Sequence, residues 1–187
     1  VEATSPSRRT GADLAGLLRR SAPVAGHTAP RSLEMASQDY VSAILSIGIA
    51  LAEALHYIHQ RGLAHLDLKP SNVMLAVDGP HVIDFGISRV IAAADLTRTD
   101  IGTIVGSPGF MSPEQTRGHE LTAATDVFSL GTVLAYAATG RNPFGAGPEH
   151  TLLYRIAHDE PDLSGVPDSL APLIAMCLAK DPAQRPS

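Results

Sequence analysis

Two carboxylates, an ammonium and an amide occur close together near the middle of the sequence. Residues 65–72 read HLDLKPSN and contain Asp67, Lys69 and Asn72; Asp84 follows in the tripeptide DFG. Phosphoryl transfer uses groups of these types. A carboxylate can accept the proton of an attacking hydroxyl, carboxylate and amide oxygens can hold Mg²⁺, and a cation can neutralise the phosphoryl charge. The residue types therefore indicate phosphoryl transfer if the fold brings them together.

A predicted β-hairpin is the element that would bring these groups together. Strand-like runs at 73–76 and 81–83 are separated by Asp78-Gly79, a pair typical of hairpin turns. The catalytic run leads into the first strand, and Asp84 follows the second. Because the two strands are antiparallel, these groups are expected at the same open end of the hairpin.

Helical patterns occupy most of the remaining sequence. A cap at Ser37 and a stop at Gly62 bound a helix with apolar residues at helical spacing. Further helices are predicted at 126–139, 150–158 and 169–179. Residues 86–114 are rich in Thr, Ser, Gly and Pro and predict a long irregular segment, which in a compact domain is usually functional or disordered. The fold class is mainly α with a small β-hairpin. Its predicted core is Ile44, Ile47, Leu51, Leu55, Val73, Leu75, Ile83, Val127, Leu130, Leu134, Ile174 and Leu178.

Composition narrows the class of protein. The chain has 187 residues, 44% of them hydrophobic, which suits one domain with a real core. Acidic residues outnumber basic ones by 19 to 14, which argues against nucleic-acid binding. The lone Cys177 is expected to be a small core residue on a helix, and a reducing, cytoplasmic location is expected. The apolar run 41–55 is shorter than the ~20 residues of a membrane span, so no membrane segment is predicted.

Several motifs together resemble the eukaryotic-type (Hanks-type) serine/threonine protein kinases. The run 65–72 followed by DFG is similar to their catalytic and metal-binding loops. GSPGFM at 106–111 resembles the substrate-docking loop, and SPE at 112–114 resembles the end of the activation segment. DVFSLG at 126–131 is similar to the start of the central helix of the large lobe. The motif wording is most similar to that of actinobacterial members.

This resemblance implies a role for each motif residue. Asp67 is expected to be the general base and Lys69 to contact the γ-phosphate of ATP. Asn72 and Asp84 are expected to hold Mg²⁺, with Mn²⁺ as an alternative metal. Candidate activation and substrate-loop residues are Thr97, Thr99, Thr103 and Ser107. Ser107 is expected to contact the catalytic Asp and Lys. Structural roles are implied for His65, Asp126 and the ion pair of Glu114 with Arg185.

One departure from the family lies inside the catalytic loop. Leu66 replaces the Arg that usually precedes the catalytic Asp and helps to bind a phosphate on the activation loop. Arg89 could partly compensate for this loss. Activity in an intact form is therefore expected to depend only weakly on activation-loop phosphorylation.

The second departure concerns the small lobe. The chain contains no GxGxxG, and its only lysines are Lys69 and Lys180, neither of which can serve as the small-lobe lysine. Residues 1–36 are predicted to be a partly disordered remnant after the interlobe hinge, in which 11–18 could match a helix. Residues 37–187 are predicted to be the large (C-terminal) lobe. This chain alone is expected to bind ATP·Mg²⁺ weakly or not at all.

Three functional hypotheses follow. The first is a kinase lobe that transfers phosphate to Ser or Thr of protein substrates in an intact form. The alternative is a truncated or pseudokinase-like scaffold that binds partners through the docking loop and the helix 150–158. A small-molecule phosphotransferase ranks last because such enzymes usually lack a segment like that at 112–114. Neither the protein substrate nor the oligomeric state follows from the sequence.

Overall fold

The structure, a computed structural model, describes residues 40–84, 89–90 and 106–187. Within these ranges the chain is mainly helical, as the sequence predicts. The helices are α1 (Tyr40–His59), α2 (Pro113–Arg117), α3 (Ala123–Thr139), α4 (Glu149–His158) and α5 (Ala171–Cys177). The strands are β1 (Leu63–Ala64), β2 (Val73–Ala76), β3 (Gly79–Val82) and β4 (Arg89–Val90), and short 3-10 turns lie at Pro70–Asn72, Pro108–Phe110 and Pro182–Gln184. The predicted remnant 1–36 and the Ser37 cap lie outside the described residues.

Helix α3 is the centre of the core. It begins with a reciprocal capping box between Thr122 and Thr125, and it ends at Gly140, which takes a left-handed φ of 68°. Most of its residues are buried, because α1 packs on one side and α5 on another. Gly131 permits the close approach of α5, since a Cβ at this position would lie 2.7 Å from the Cβ of Cys177. The helix starts at Ala123, three residues before the predicted start.

Helix α1 packs against α3 through a buried face that includes Ile44, Leu45, Leu51 and Leu55. It has 20 residues and a mean hydropathy of 1.7, so by length and composition alone it could cross a membrane. The expectation of no membrane segment rests on the run 41–55 alone, and the helix extends beyond that run. This finding is weak evidence for a span, since core helices of globular proteins pass the same test.

The hairpin of β2 and β3 has its turn one residue earlier than predicted. Val73 pairs with Val82 and Ala76 with Gly79, so the turn consists of Val77 and Asp78 rather than Asp78-Gly79. Gly79 instead starts β3 with a φ of 128°, a conformation that glycine adopts without strain. A second antiparallel pair, β1 with β4, was not predicted, since two-residue strands carry no periodic signal.

Two residues were wrongly predicted to lie in the core, one on β2 and the other directly after β3. Leu75 is 61% exposed and Ile83 is 37% exposed. Their apolar neighbours Met74 and Val77 are exposed as well, because the described residues cover the hairpin on only one side. Of the other predicted core residues, Ile47 and Val73 are partly buried against the core. The rest are buried: Ile44, Leu51, Leu55, Val127, Leu130, Leu134, Ile174 and Leu178.

The C-terminal helices are close to their predicted positions. The helix predicted at 150–158 is α4, and the helix predicted at 169–179 is the shorter α5. Cys177 is fully buried on α5, as predicted, and this burial raises the pKa of its thiol to about 12. The segment predicted to be irregular, 86–114, contains β4, a 3-10 turn and the start of α2 within its described residues.

Candidate active site

Asp67 lies between a cation and an amide. Its Oδ2 lies 2.7 Å from Lys69 Nζ. Asn72 Nδ2 donates to the main-chain oxygen of Asp67 at 2.9 Å and to Asp67 Oδ2 at 3.3 Å. Among the residues that the structure describes, the other carboxylate oxygen, Oδ1, is buried and has no hydrogen-bond partner. An unpaired buried oxygen is costly in a folded protein, so Oδ1 is a free acceptor suited to a hydroxyl of a bound substrate.

Lys69 connects this carboxylate to the predicted docking loop. Its Nζ donates to Ser107 Oγ at 2.7 Å while it contacts Asp67. One ammonium therefore bridges the catalytic loop and the segment 106–111. Ser107 thus lies next to the expected catalytic Lys.

Asn72 and Asp84 are brought to the same end of the hairpin, as the sequence predicts. Ile83 N donates to Asn72 O at 2.9 Å, which extends the pairing of β2 and β3 toward Asp84. The Asn72 amide nitrogen is engaged by Asp67, and Asn72 Oδ1 accepts from Ser71 Oγ at 3.5 Å. This oxygen and the exposed Asp84 carboxylate are hard donors that suit Mg²⁺, which commonly takes one or two protein ligands and completes its shell with phosphate and water. The donor set therefore fits the metal.

Asp126 holds the backbone of the catalytic loop from the first turn of α3. Its Oδ2 accepts from His65 N and its Oδ1 accepts from Leu66 N, both at 2.8 Å, and the carboxylate is fully buried. Leu66 needs this support, because its φ of 66° lies in the left-handed region that costs a non-glycine residue about 1–2 kcal/mol. Asp126 thus braces the residue directly before Asp67.

His59 is a residue that sequence reasoning missed. Its Nε2 lies 2.7 Å from Asp126 Oδ2, so the carboxylate that braces the catalytic loop is itself bound from the end of α1. The only available signal was its position on the last turn of the predicted helix, six residues before His65. That spacing carries no chemistry until α1 and α3 are packed together.

His65 is fully buried and links the loop to β3. Its Nδ1 accepts from Asp67 N at 3.3 Å, so the proton of a neutral ring resides on Nε2, which faces Ile83 O at 3.4 Å. These contacts join the base-bearing residue to the strand that precedes Asp84. Both ring nitrogens are used within the fold, which is consistent with the structural role expected for His65.

Glu114 and Arg185 form a two-pronged ion pair. Arg185 Nη1 donates to Glu114 Oε1 at 2.7 Å, and Nη2 donates to Oε2 at 2.9 Å. Thr125 Oγ1 also donates to Glu114 Oε1, at 2.9 Å. Burial opposes the ionisation of Glu114, but the hydrogen bonds and charge of Arg185 outweigh it and hold the pKa of Glu114 below its ordinary value. The pair ties α2 to the C-terminal turn.

The docking loop is anchored by two further residues that sequence reasoning missed. Ser129 Oγ on α3 donates to Phe110 O at 2.8 Å. Asn142, just beyond α3, donates from Nδ2 to Gly109 O at 2.5 Å. Both hydrogen bonds are accepted by main-chain oxygens, so no sequence motif predicts them. They hold the loop that carries Ser107 in a fixed position against the core.

Other predicted site residues lie outside the description. Phe85 and Gly86 of the DFG tripeptide are not among the described residues, and neither are Thr97, Thr99 and Thr103. Arg89 is described only as part of β4, without its side chain. Its proposed compensation for Leu66 therefore stays a prediction.

Comparison with known proteins identifies the family. The sequence model described as the protein kinase domain matches residues 29–187. The chain is 45% identical over 148 residues to the probable serine/threonine-protein kinase PkwA of Thermomonospora curvata, covering 79% of this chain. It is 47% identical over 147 residues to the serine/threonine-protein kinase AfsK of Streptomyces coelicolor, covering 78% of this chain.

A more distant relative points the same way. The serine/threonine-protein kinase PknB of Mycobacterium tuberculosis is 35% identical over 139 residues, or 71% of this chain. The aligned regions amount to 20%, 18% and 22% of PkwA, AfsK and PknB, so the chain spans only about a fifth of each relative's length. The predicted resemblance, including its actinobacterial character, is confirmed. The chain belongs to the protein kinase domain family, and its relatives are serine/threonine-protein kinases of bacteria.

Proposed function

We propose that this chain is the large, catalytic lobe of a serine/threonine protein kinase and carries the phosphoacceptor half of the active site. The observation that carries the proposal is the buried, unpaired Oδ1 of Asp67. It lies on a carboxylate whose other oxygen is held by Lys69 and Asn72. Lys69 also bonds to Ser107, which places the base beside the loop expected to receive a protein substrate.

The geometry supports a simple division of labour. Asp67 Oδ1 accepts the proton of a Ser or Thr hydroxyl as that oxygen attacks phosphorus. Lys69 balances negative charge beside the base and would contact the γ-phosphate of bound ATP. Asn72 and Asp84 would hold Mg²⁺, which supplies charge neutralisation of the ATP phosphates when bound. A positioned base of this kind is typically worth ~10²–10⁴ in rate.

The nucleotide half of the site is proposed to lie on a small lobe that these 187 residues do not supply. Lys69 is occupied in the catalytic loop, and Lys180 Nζ donates to Ile156 O at 2.7 Å at the far end of α4. Neither lysine can bind the nucleotide phosphates from the position that a small-lobe lysine would occupy. The exposed apolar side chains Met74, Leu75 and Val77 support the same proposal, since they form a surface that a second lobe or a nucleotide base could cover.

The test is γ-phosphate transfer to protein Ser or Thr. It uses a two-lobe form, meaning this segment joined to a kinase small lobe, either encoded with it or fused from the PkwA relative. Asp67→Asn should lower kcat by about 10²–10⁴-fold and leave the KM for ATP nearly unchanged. Asp78→Asn, an exposed Asp on the hairpin turn, is the matched control and should retain wild-type turnover. Equal rates for wild type and Asp67→Asn would refute the assigned base.

The second candidate function is a binding scaffold of the pseudokinase type. The observation that favours it is the same shortage of lysines, because a lobe without a nucleotide clamp has no catalytic route of its own. Helix α4 offers an exposed Tyr154 for such contacts. If the two-lobe form transfers no phosphate but binds partners through α4, the scaffold replaces the enzyme as the better account.

A further inference from the structure

A single buried glutamine connects the catalytic loop to the end of the activation segment. Gln115 lies on the first turn of α2 and is 7% exposed. Its Nε2 donates to Leu66 O at 2.8 Å, and its Oε1 accepts from Ser112 N at 2.9 Å. The two ends of one side-chain amide thus reach two segments that are 49 and 3 residues away in sequence.

The partner of that amide is the strained residue beside the base. Leu66 has a φ of 66°, and its N–H is held by Asp126 from one side. Its carbonyl is held by Gln115 from the other side. Both main-chain polar groups of Leu66 are therefore bonded to buried side chains. The peptide bond that Leu66 O belongs to leads directly into Asp67, so Gln115 acts on the orientation of the base.

The docking loop packs on the same amide. A Cβ on Gly106 would lie 3.3 Å from Gln115 Nε2, which shows how closely the start of the loop approaches. Gly106 immediately precedes Ser107, the residue bonded to Lys69. Gln115 is therefore bonded to the catalytic loop at Leu66 and lies close to the start of the docking loop at Gly106.

We propose that Gln115 is a positioning residue that couples the docking segment to the catalytic loop. It acts through a neutral hydrogen bond to Leu66 O and makes no contact with the reacting atoms. This inference rests on the proposed function and extends it to regulation. Leu66 is buried and uncharged, so the coupling consists of the hydrogen bond between the Gln115 side-chain amide and Leu66 O. This hydrogen bond persists without a phosphate on the activation loop.

Two variants separate coupling from simple helix capping. Gln115→Met removes both side-chain hydrogen bonds at similar volume. Gln115→Glu keeps an acceptor for Ser112 N, but its carboxylate cannot donate to Leu66 O. Asp181→Ala is the control for a lost cap, because Asp181 caps only the C-terminal 3-10 turn. If capping were the whole role of Gln115, the Glu variant would behave like wild type.

The first readout is hydrogen exchange on the 187-residue chain, which needs no catalysis. Amides of the catalytic loop at residues 66–68 should exchange about tenfold faster or more in both Gln115 variants and unchanged in Asp181→Ala. The second readout is steady-state kinetics of the two-lobe form. There kcat should fall about tenfold or more in both Gln115 variants while the KM for ATP stays within about twofold.

The outcomes are distinguishable. With an active wild type, unchanged kcat in both Gln115 variants overturns the coupling and leaves the proposed function standing. If the wild-type two-lobe form transfers no phosphate, the proposed function fails. The hydrogen-exchange measurement then tests the coupling through Gln115 by itself. Equal exchange rates at residues 66–68 in all variants would overturn that coupling.

Discussion

At the scale of single residues, one buried carboxylate organises the catalytic loop. Asp126 accepts from two successive main-chain N–H groups and also contacts His59, and its side chain is fully buried. If Asp126 loses one acceptor oxygen, a buried main-chain N–H group is left without a hydrogen-bond partner. This costs more free energy than the loss of a solvent-exposed hydrogen bond. The loop that carries Asp67 should therefore be sensitive to changes at a residue that never touches substrate.

This reasoning predicts the effect of Asp126→Asn. The amide keeps one acceptor oxygen, so one of the two loop N–H groups faces an NH₂ group and loses its partner. The free energy of unfolding should fall by about 1–3 kcal/mol, as measured by urea denaturation. Asp162→Asn, which replaces an exposed carboxylate, is the control and should change little. Equal unfolding free energies for the two variants would contradict the bracing role.

Leu66 leads to a second prediction at this scale. The family's phosphate-binding Arg is replaced by a buried Leu, so a phosphate on the activation loop lacks that partner. Replacing Thr97, Thr99 and Thr103 together with Ala in the two-lobe form should leave kcat within about threefold of wild type. A large loss of turnover would contradict this prediction and would mean that another cation, for example Arg89, binds the phosphate.

At the scale of elements, the Glu114–Arg185 pair joins α2 to the C-terminal 3-10 turn. Glu114 has its pKa held below the ordinary value, so its contribution to stability is present above the pKa of the unfolded state. That contribution is lost as pH falls through the lower pKa of the folded state. Helix α2 also carries Gln115, so loosening this pair should reach the catalytic loop as well.

Glu114→Gln tests the pair. At pH 7 the variant should be about 3–5 kcal/mol less stable than wild type, because a buried guanidinium loses its counter-charge. The difference should shrink as pH falls below the ordinary value of 4.5 and through the lower pKa of folded Glu114, where wild-type Glu114 itself becomes protonated. Chemical denaturation at several pH values measures both effects. A difference that does not vary with pH would argue against the ion pair.

The elements also show what sequence patterns can and cannot predict. Helices α1, α3 and α4 were predictable because periodicity and terminal glycines are local signals. The hairpin was predicted with its turn one residue late, since Gly79 serves β3 rather than the turn. The exposure of Leu75 was not predictable, because burial of an apolar strand residue depends on which neighbours are present.

The candidate site divides in a similar way. Asp67, Lys69, Asn72 and Asp84 were found from residue types and spacing, and the structure brings the first three into direct contact. His59 and Gln115 were missed. Their partners are a carboxylate 67 residues away and a main-chain oxygen 49 residues away, so only tertiary packing reveals them.

At the scale of the whole molecule, the chain is a helical core around α3 with its chemical groups gathered at the open end of the β2–β3 hairpin. Under the proposed function these residues form the phosphoacceptor side, with Asp67 as the base, Lys69 as the counter-charge, and Asn72 and Asp84 as the metal ligands. A small lobe is proposed to supply the remaining contacts to ATP, since Lys69 lies in the catalytic loop and Lys180 donates to Ile156 O. The hairpin also carries exposed apolar side chains, Met74, Leu75 and Val77.

Isothermal titration of the 187-residue chain with ATP in the presence of Mg²⁺ tests this division most directly. Without small-lobe contacts to the nucleotide, the Kd for ATP should exceed about 1 mM, which corresponds to a binding free energy of only about 4 kcal/mol in magnitude. The two-lobe form, titrated in parallel, should bind ATP at least about tenfold more tightly. A micromolar Kd for the 187-residue chain alone would contradict the account.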